Sequence, residues 1–157
     1  MKRVPSFALL ALLLIARSAS ADVTGFLGLN TTPESRTVKG GAAGAGLLIV
    51  GVEFEYAATD EEVGVSPSLK TGMGNVYLQT PVAIARLQPY VTTGGGFYRE
   101  RFGTSTHTGF GLNSGGGVKV TLAGPLRLRL DYRVFRLGDE ARHSPAHRFY
   151  AGLNLKF

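Results

Sequence analysis

The last ten residues of the chain constrain its fold more than any other stretch. From Arg148 to Phe157, apolar and polar residues alternate without a break, which predicts a β-strand with two unlike faces. The apolar face carries Phe149, Ala151, Leu153, Leu155 and Phe157. A strand of about 9–11 residues is also the length of a tilted bilayer crossing. In a soluble protein this strand would be an open apolar edge, whereas in a closed barrel it has two neighbours and its apolar face meets lipid.

The first 21 residues have the features of a secretory signal peptide. Two basic residues precede an unbroken apolar run at 7–15, and residues 19–21 give the small-x-small pattern of a cleavage site. The apolar run is shorter than the roughly 20 residues that a membrane-spanning helix needs. We therefore predict that residues 1–21 are removed and that residues 22–157 form one domain, an outer-membrane β-barrel.

Charge and composition exclude several classes of function. The net charge is +6, but three of the positive charges, Lys2, Arg3 and Arg17, belong to the predicted signal and the remainder carries +3. No basic patch interleaved with aromatic residues suggests nucleic-acid binding. The chain has no cysteine, which excludes disulfides and thiolate metal sites. Because lipid cannot satisfy an open backbone, a membrane form of this chain has to be a closed barrel.

Alternation upstream of the last strand predicts an all-β fold of eight antiparallel strands in an up-and-down meander. The predicted strands are 23–30, 40–48, 50–58, 75–82, 89–99, 109–122, 126–135 and 148–157. The turn near Ile49 lacks a strong turn residue, and one long strand across 40–58 would break the strand count.

The predicted connections alternate between long and short. Long polar loops are expected at 31–37, 59–72, 100–108 and 138–147, with short turns between the other strands. An even strand number with this alternation is typical of outer-membrane barrels, whose short turns face the periplasm. We therefore expect both termini on the periplasmic side and the long loops outside the cell.

Three segments resemble small bacterial outer-membrane barrels. Residues 150–157 resemble the C-terminal assembly signal of such proteins, with its positions at Tyr150, Gly152, Leu155 and Phe157. Residues 131–136 are similar to the penultimate strand of OmpA-type and opacity-type barrels, and residues 89–91 before the glycine run are also similar to that family. The resemblance implies an eight-stranded barrel of a Gram-negative outer membrane, inserted by the barrel assembly machinery. It implies no single activity, because family members serve as adhesins, structural proteins and narrow pores.

Charged residues lie on the strand faces opposite the apolar ones, so in a barrel they point into the lumen. These residues are Glu53, Glu55, Lys119, Arg127, Arg129, Asp131, Arg133, Arg148 and Lys156. Side chains can fill an eight-stranded barrel, and unpaired buried charges are costly, so we expect a salt-bridged plug. The alternative is a narrow pore, in which six basic residues against three acidic ones favour anions. The expected outward band includes Phe54, Leu78, Val118, Leu128, Leu130 and Phe149.

The histidines suggest two further sites, both of which the sequence disfavours. His143 and His147 are four residues apart, but Pro145 lies between them and no third ligand is evident, so no metal is expected. His143 and Ser144 with Glu140 nearby invite comparison with barrels that deacylate lipids. However, adjacent residues of a strand point apart, and no acid follows in the last strand to orient the histidine. We therefore predict neither catalysis nor a cofactor.

The predicted loops at 59–72 and 138–147 are the candidates for contact with an extracellular ligand. The first contains three consecutive acidic residues at 60–62, which are expected to be solvated. Loops on a rigid barrel are where such proteins meet their partners. The sequence thus predicts an outer-membrane protein with a structural or surface-interaction role, surrounded by membrane lipid.

Overall fold

Eight antiparallel strands close into a barrel in the computed structural model, which describes residues 19–32, 34–61, 64–138, 141 and 144–157. The strands are β1 (Ala19–Asn30), β2 (Arg36–Leu47), β3 (Val50–Thr59), β4 (Ser68–Gln79), β5 (Leu87–Phe102), β6 (Ser105–Ala123), β7 (Leu126–Leu137) and β8 (Ala146–Lys156). Each strand pairs with the next, and β8 pairs with β1, which confirms the predicted fold class. No helix among the described residues is long and apolar enough to cross a membrane.

Inward and outward residues alternate along the strands with the predicted facing. On β7, Arg127 and Arg129 are buried in the barrel, while Leu128 and Leu130 face outward. Large apolar side chains are accordingly exposed on the outside of the barrel. They include Leu27, Leu29, Val52, Phe54, Val76, Leu78, Val91, Phe97, Phe110, Leu112, Leu130, Phe149, Leu153 and Leu155.

The turn between β2 and β3 falls on Leu48 and Ile49, because Leu47 pairs with Val50. The alternative of one long strand across 40–58 is therefore wrong. Leu48 has a φ of 47°, a conformation that hairpin turns usually assign to glycine or asparagine. The turn was hard to locate in the sequence because a leucine occupies this position.

The fourth strand begins and ends earlier than predicted. It starts at Ser68 rather than at residue 75 and ends at Gln79, so the preceding loop shrinks to 60–67. Gly72 and Gly74 weaken the strand pattern in the sequence. In the barrel they pair in register with Phe97 and Gly95 of β5, and that pairing decides the conformation.

The long loop predicted at 100–108 is wrong. β5 and β6 run on to Phe102 and Ser105, and only Gly103 and Thr104 connect them. The alternation of long and short connections therefore fails at this hairpin. The exposed strand ends are polar on their outer faces, so the apolar alternation that identifies a membrane strand is missing there.

The glycine run of β5 marks close packing against β4 rather than a bend. Gly94 and Gly96 lie in a pairing register with no shift along β5. A Cβ atom at either position would collide with the backbone carbonyl oxygens of Gly74 and Gly72. Only glycine allows the two strands to approach this closely.

The predicted signal peptide remains a prediction. Residues 1–18 lie outside the described part of the chain, while Ala19–Ala21 pair with the end of β2. Cleavage after Ala21 would shorten β1 by these three residues and leave Asp22 as its first residue.

Candidate functional site: the charged barrel interior

Strands β3, β7 and β8 place charged side chains in the middle of the barrel. Their alternation points every second residue inward, and the register of β7 with β8 sets Asp131 beside Tyr150 and Arg133 beside Arg148. The central cluster consists of Glu53, Glu55, Arg129, Asp131, Arg133, Arg148 and the two tyrosines Tyr90 and Tyr150, all buried. It contains three guanidinium groups and three carboxylates, so its formal charge is balanced.

Arg129 joins three residues of this cluster. Its guanidinium binds Glu53 through two nitrogens, with Nη2 3.1 Å from Oε1. Nη2 also donates to Asp131 Oδ2 at 2.9 Å, and Nε donates to the Tyr90 hydroxyl oxygen at 2.7 Å. The Tyr90 hydroxyl in turn donates to Asp131. Two-point contact with a carboxylate fixes the plane of the guanidinium as well as its position.

Arg133 contacts all three carboxylates of the cluster. Nη2 donates to Glu53 Oε1 at 2.8 Å, and Nε donates to Asp131 Oδ1 at 3.0 Å. Nη1 lies 3.1 Å from Glu55 Oε2. Because its side chain has no exposed surface, Arg133 cannot exchange these partners for bulk water.

Arg148 and Tyr150 extend the network along β8. Arg148 donates to Glu55 Oε1 from Nη1 at 3.0 Å and to Asn30 Oδ1 from Nε at 3.0 Å. The Tyr150 hydroxyl lies 3.2 Å from Glu55 Oε2 and 3.0 Å from Asp131 Oδ2. Every carboxylate of the central cluster is therefore in contact with at least two arginine or tyrosine side chains.

A smaller charged cluster lies in the barrel interior toward the chain termini. Lys119 Nζ donates to Asp22 Oδ2 at 2.8 Å, and Arg127 Nη2 lies 3.4 Å from the same oxygen. Arg127 also donates to Gln88 and Asn154, at 2.9 Å each. The sequence predicts a first strand that begins at residue 23, so sequence reasoning missed Asp22. Extending the alternation of β1 back by one residue would have placed it inward.

An apolar cluster fills the barrel near the opposite end, above the charged layers. It consists of Leu69, Met73, Tyr98, Phe135, Leu137 and Ala146, all buried. The Arg148 guanidinium lies 4.3 Å from the centre of the Phe135 ring, a cation–π contact that joins this cluster to the charged network. Side chains therefore occupy the interior at three successive levels.

The Tyr150 ring is held by an aromatic partner on the neighbouring strand β1. Phe26 stacks on it with ring centroids 4.0 Å apart. Gly152 of β8 pairs with Phe26 of β1. A Cβ atom added to Gly152 would lie 2.8 Å from the Phe26 Cβ and 2.7 Å from the Gly25 carbonyl oxygen. The glycine of the predicted assembly signal thus has a packing role in the folded barrel.

Eight of the nine residues assigned to the lumen from the sequence are buried inside the barrel, and Lys156 is not. Lys156 is exposed at the end of β8, where it pairs with Asp22 in the β1 register. The inward position was inferred correctly from the alternation, but the barrel opens to solvent at this level. The assignment of Lys156 to a buried charge network is therefore wrong.

The residues considered for a metal or catalytic site are not brought together in the described structure. His143 and Glu140 lie outside the described residues. His147 Nδ1 lies 2.8 Å from the Tyr132 hydroxyl on the outer surface. The Ser144 hydroxyl lies 3.2 Å from the Leu137 carbonyl oxygen and accepts from the Leu137 amide at 3.1 Å.

Comparison with known proteins gives matches among solved structures only. No protein-family model matches the chain, and no curated protein matches it. The chain is similar to the N-terminal β-barrel domain of Pseudomonas aeruginosa OprF, with a TM-score of 0.69 at 15% identity over 88% of this chain and 97% of that one.

Two further similar structures are surface proteins of other bacteria. Neisserial surface protein A has a TM-score of 0.60 at 17% identity, covering 88% of this chain and 96% of its own. Ail, the attachment invasion locus protein of Yersinia pestis, has a TM-score of 0.54 at 12% identity, covering 89% and 99%. At these identities the similarity is one of fold. In fold, this chain is an eight-stranded barrel of the small outer-membrane type.

Proposed function

We propose that this chain is an integral outer-membrane protein whose barrel is closed to solutes and whose role is structural or in surface contact, without catalysis. The observation that carries the proposal is the inside-out distribution of side chains. Paired ionic groups fill the interior, while large apolar side chains cover the outside. A water-soluble protein would expose far less contiguous apolar surface, whereas a lipid-facing barrel requires it.

The barrel interior supports a plug more than a pore. Among the described residues, six cations and five carboxylates are buried, so the excess of positive charge is smaller than the sequence suggested. The apolar cluster near the loop end adds a dry layer across the path of an ion. The narrow anion-preferring pore therefore stays the second candidate.

Planar-bilayer recording tests the closed lumen. We expect purified, folded protein to give no stable conductance steps, because the charged side chains are held by partners on several strands. A matched sample of a large-pore porin should conduct in the same bilayers. Stable openings that select for anions would contradict the plug and favour the pore.

The orientation with both termini in the periplasm and insertion by the barrel assembly machinery are part of the same proposal. The connections at the end opposite the termini include the loops at 60–67 and 138–145, each longer than any connection at the terminal end, as expected for loops outside the cell. Phe157 is exposed on the outer surface and directly follows Lys156, which pairs with Asp22 of β1. It therefore lies at the seam where the first and last strands meet.

Replacing Phe157 with serine is expected to lower the amount of folded protein in the outer membrane severalfold, since it removes the aromatic end of the assembly signal. Membrane fractionation with a heat-modifiability gel measures the folded fraction. Phe97→Ser, at another exposed phenylalanine, serves as the control. Equal loss in both variants would contradict a specific role for Phe157.

The surface-contact role is supported by the β5–β6 hairpin and its neighbouring loop. These two strands are the longest of the barrel, at 16 and 19 residues, and their paired ends carry exposed polar residues such as Arg101 and Thr106. The loop at 60–67 is tied to this hairpin, because Glu61 accepts from the Gly103 amide at 2.7 Å. This hairpin is our candidate for contact with an extracellular ligand, ahead of the loop at 138–147.

Shortening the hairpin tests this role. A variant that lacks residues 101–106, closed by a two-residue Asn-Gly turn, should keep the barrel folded because it removes no residue of the described interior clusters. We expect it to lose adhesion of the expressing cells to host-cell or matrix surfaces. Unchanged adhesion with normal surface levels would favour a purely structural role.

A further inference from the structure

An outward-facing groove lies on the barrel wall between β3 and β5, at the end opposite the termini. Its floor is Gly72 on β4, which pairs with Tyr56 and Phe97 on either side. Together with Phe54, these aromatic side chains form the walls of a groove of ≈ 440 Å³. All three aromatic rings are exposed, so the groove opens to whatever surrounds the barrel.

Two cations close the upper end of the groove. Lys70 and Arg99 are directly paired across β4 and β5, and both are exposed on the outer face. Like charges directly opposite one another destabilise a sheet. Among the described residues neither cation has a carboxylate partner, because the nearby acids are engaged elsewhere. Asp60 pairs with Lys39 at 3.2 Å and Glu61 with Arg101 at 3.6 Å, while the next acid, Glu62, lies outside the described residues.

From the loop end toward the middle of the barrel wall, the side chains that line this groove match the successive parts of an anionic lipid, from its headgroup to its acyl chain. Cations come first, aromatic side chains follow at the level where such rings mark a membrane interface, and a glycine floor flanked by apolar residues continues toward the centre of the barrel wall. An added Cβ at Gly72 would meet nothing closer than the Phe54 ring at 3.9 Å. The missing side chain therefore leaves room for an acyl chain rather than for a neighbouring residue.

We propose that this groove binds one phosphorylated glycolipid of the outer leaflet, with a phosphate between Lys70 and Arg99 and an acyl chain over Gly72. The inference rests on the proposed membrane location and orientation. It adds a specific lipid site to the general contact with lipid that any membrane barrel makes. The occupant is specified by charge, because two exposed cations without a carboxylate partner among the described residues favour an anionic headgroup, and by the apolar groove below them, which a soluble anion would leave empty.

Binding of lipid A that carries both phosphates, measured by native mass spectrometry of the purified barrel in detergent, tests the headgroup contact. The double variant Lys70→Gln, Arg99→Gln should bind about 30-fold more weakly, since each cation contributes about a factor of five to binding an anionic lipid surface. Arg136→Gln is the matched control, because Arg136 is an exposed cation at the same end of the barrel, on β7. Lipid A without its phosphates should bind wild-type protein as weakly as the bisphosphorylated lipid binds the double variant.

A separate substitution, at Gly72, tests the acyl-chain contact. Gly72→Leu should fill the groove and weaken lipid A binding by roughly tenfold, the equivalent of about two displaced methylene contacts. Gly25→Leu is the control, because Gly25 also faces outward into open space but has no paired cations above it.

Three outcomes would overturn the lipid site. These are wild-type affinity in the double variant, equal affinity for the dephosphorylated lipid, or equal losses in Gly72→Leu and Gly25→Leu. Heat-modifiability of the same samples reports folding separately. A wild-type protein that is folded but absent from outer membranes would instead refute the proposed function.

Discussion

Replacing Arg133 with leucine is expected to lower the free energy of unfolding by about 3–5 kcal/mol, the cost of breaking a buried ion pair from one side. Arg133 contacts Glu53, Glu55 and Asp131 and has no exposed side-chain surface. The variant leaves these carboxylates with fewer donors, in a place that bulk water does not reach. Urea unfolding of the barrel in lipid vesicles, followed by the gel shift between folded and unfolded forms, measures the change.

The same substitution at Arg136 is the matched control. Arg136 lies three residues further along β7 and is exposed on the outer face, so Arg136→Leu should change stability by no more than about 0.5 kcal/mol. Similar losses at the two positions would show that the interior network does not stabilise the barrel more than an ordinary surface charge does.

Leu130→Arg is expected to cost about 2–4 kcal/mol, the penalty for a cation at the lipid-facing midplane of a barrel. Leu130 faces outward from β7 between Arg129 and Asp131, with 43% of its surface exposed. In lipid vesicles this loss should appear as a lower folded fraction and an earlier urea midpoint. In water the same change at an exposed leucine would be nearly neutral.

Thr106→Arg provides the comparison, because Thr106 is exposed on β6 near the tip of the β5–β6 hairpin. There the added charge remains in water, and we expect a change of about 0–1 kcal/mol. If Leu130→Arg is tolerated as well as Thr106→Arg, the outer surface around β7 does not face lipid.

The facing of the strands was predictable from the sequence because alternation is a local property. From Leu126 to Asp131 on β7, leucines and charged residues alternate strictly, so a correct assignment of Arg129 to the interior also gives the facing of its neighbours. The limits of β4 were not predictable in this way. Its first seven residues include Gly72 and Gly74, and pairing with β5 rather than local propensity makes that segment a strand.

The ion pairs themselves were beyond sequence reasoning. Alternation places Arg133 inward. The stagger of the strands around the barrel, which the sequence does not reveal, brings Arg133 to Glu53 on β3 as well as to Asp131 on its own strand. The same stagger leaves Lys156 at an open rim, although its inward position on β8 was correctly inferred. The paired cations Lys70 and Arg99 were also missed, because only the register of β4 and β5 brings them side by side.

Fluorescence quenching by brominated lipids tests the inside-out arrangement most directly. The chain has no tryptophan, so a single introduced tryptophan reports only its own position. Phe149→Trp lies on the outer face, and Phe135→Trp lies in the buried apolar cluster of the interior. In vesicles containing lipids brominated at several depths, we predict strong quenching of the tryptophan at position 149 and little at position 135. Quenching at position 135 with none at position 149 would contradict the account.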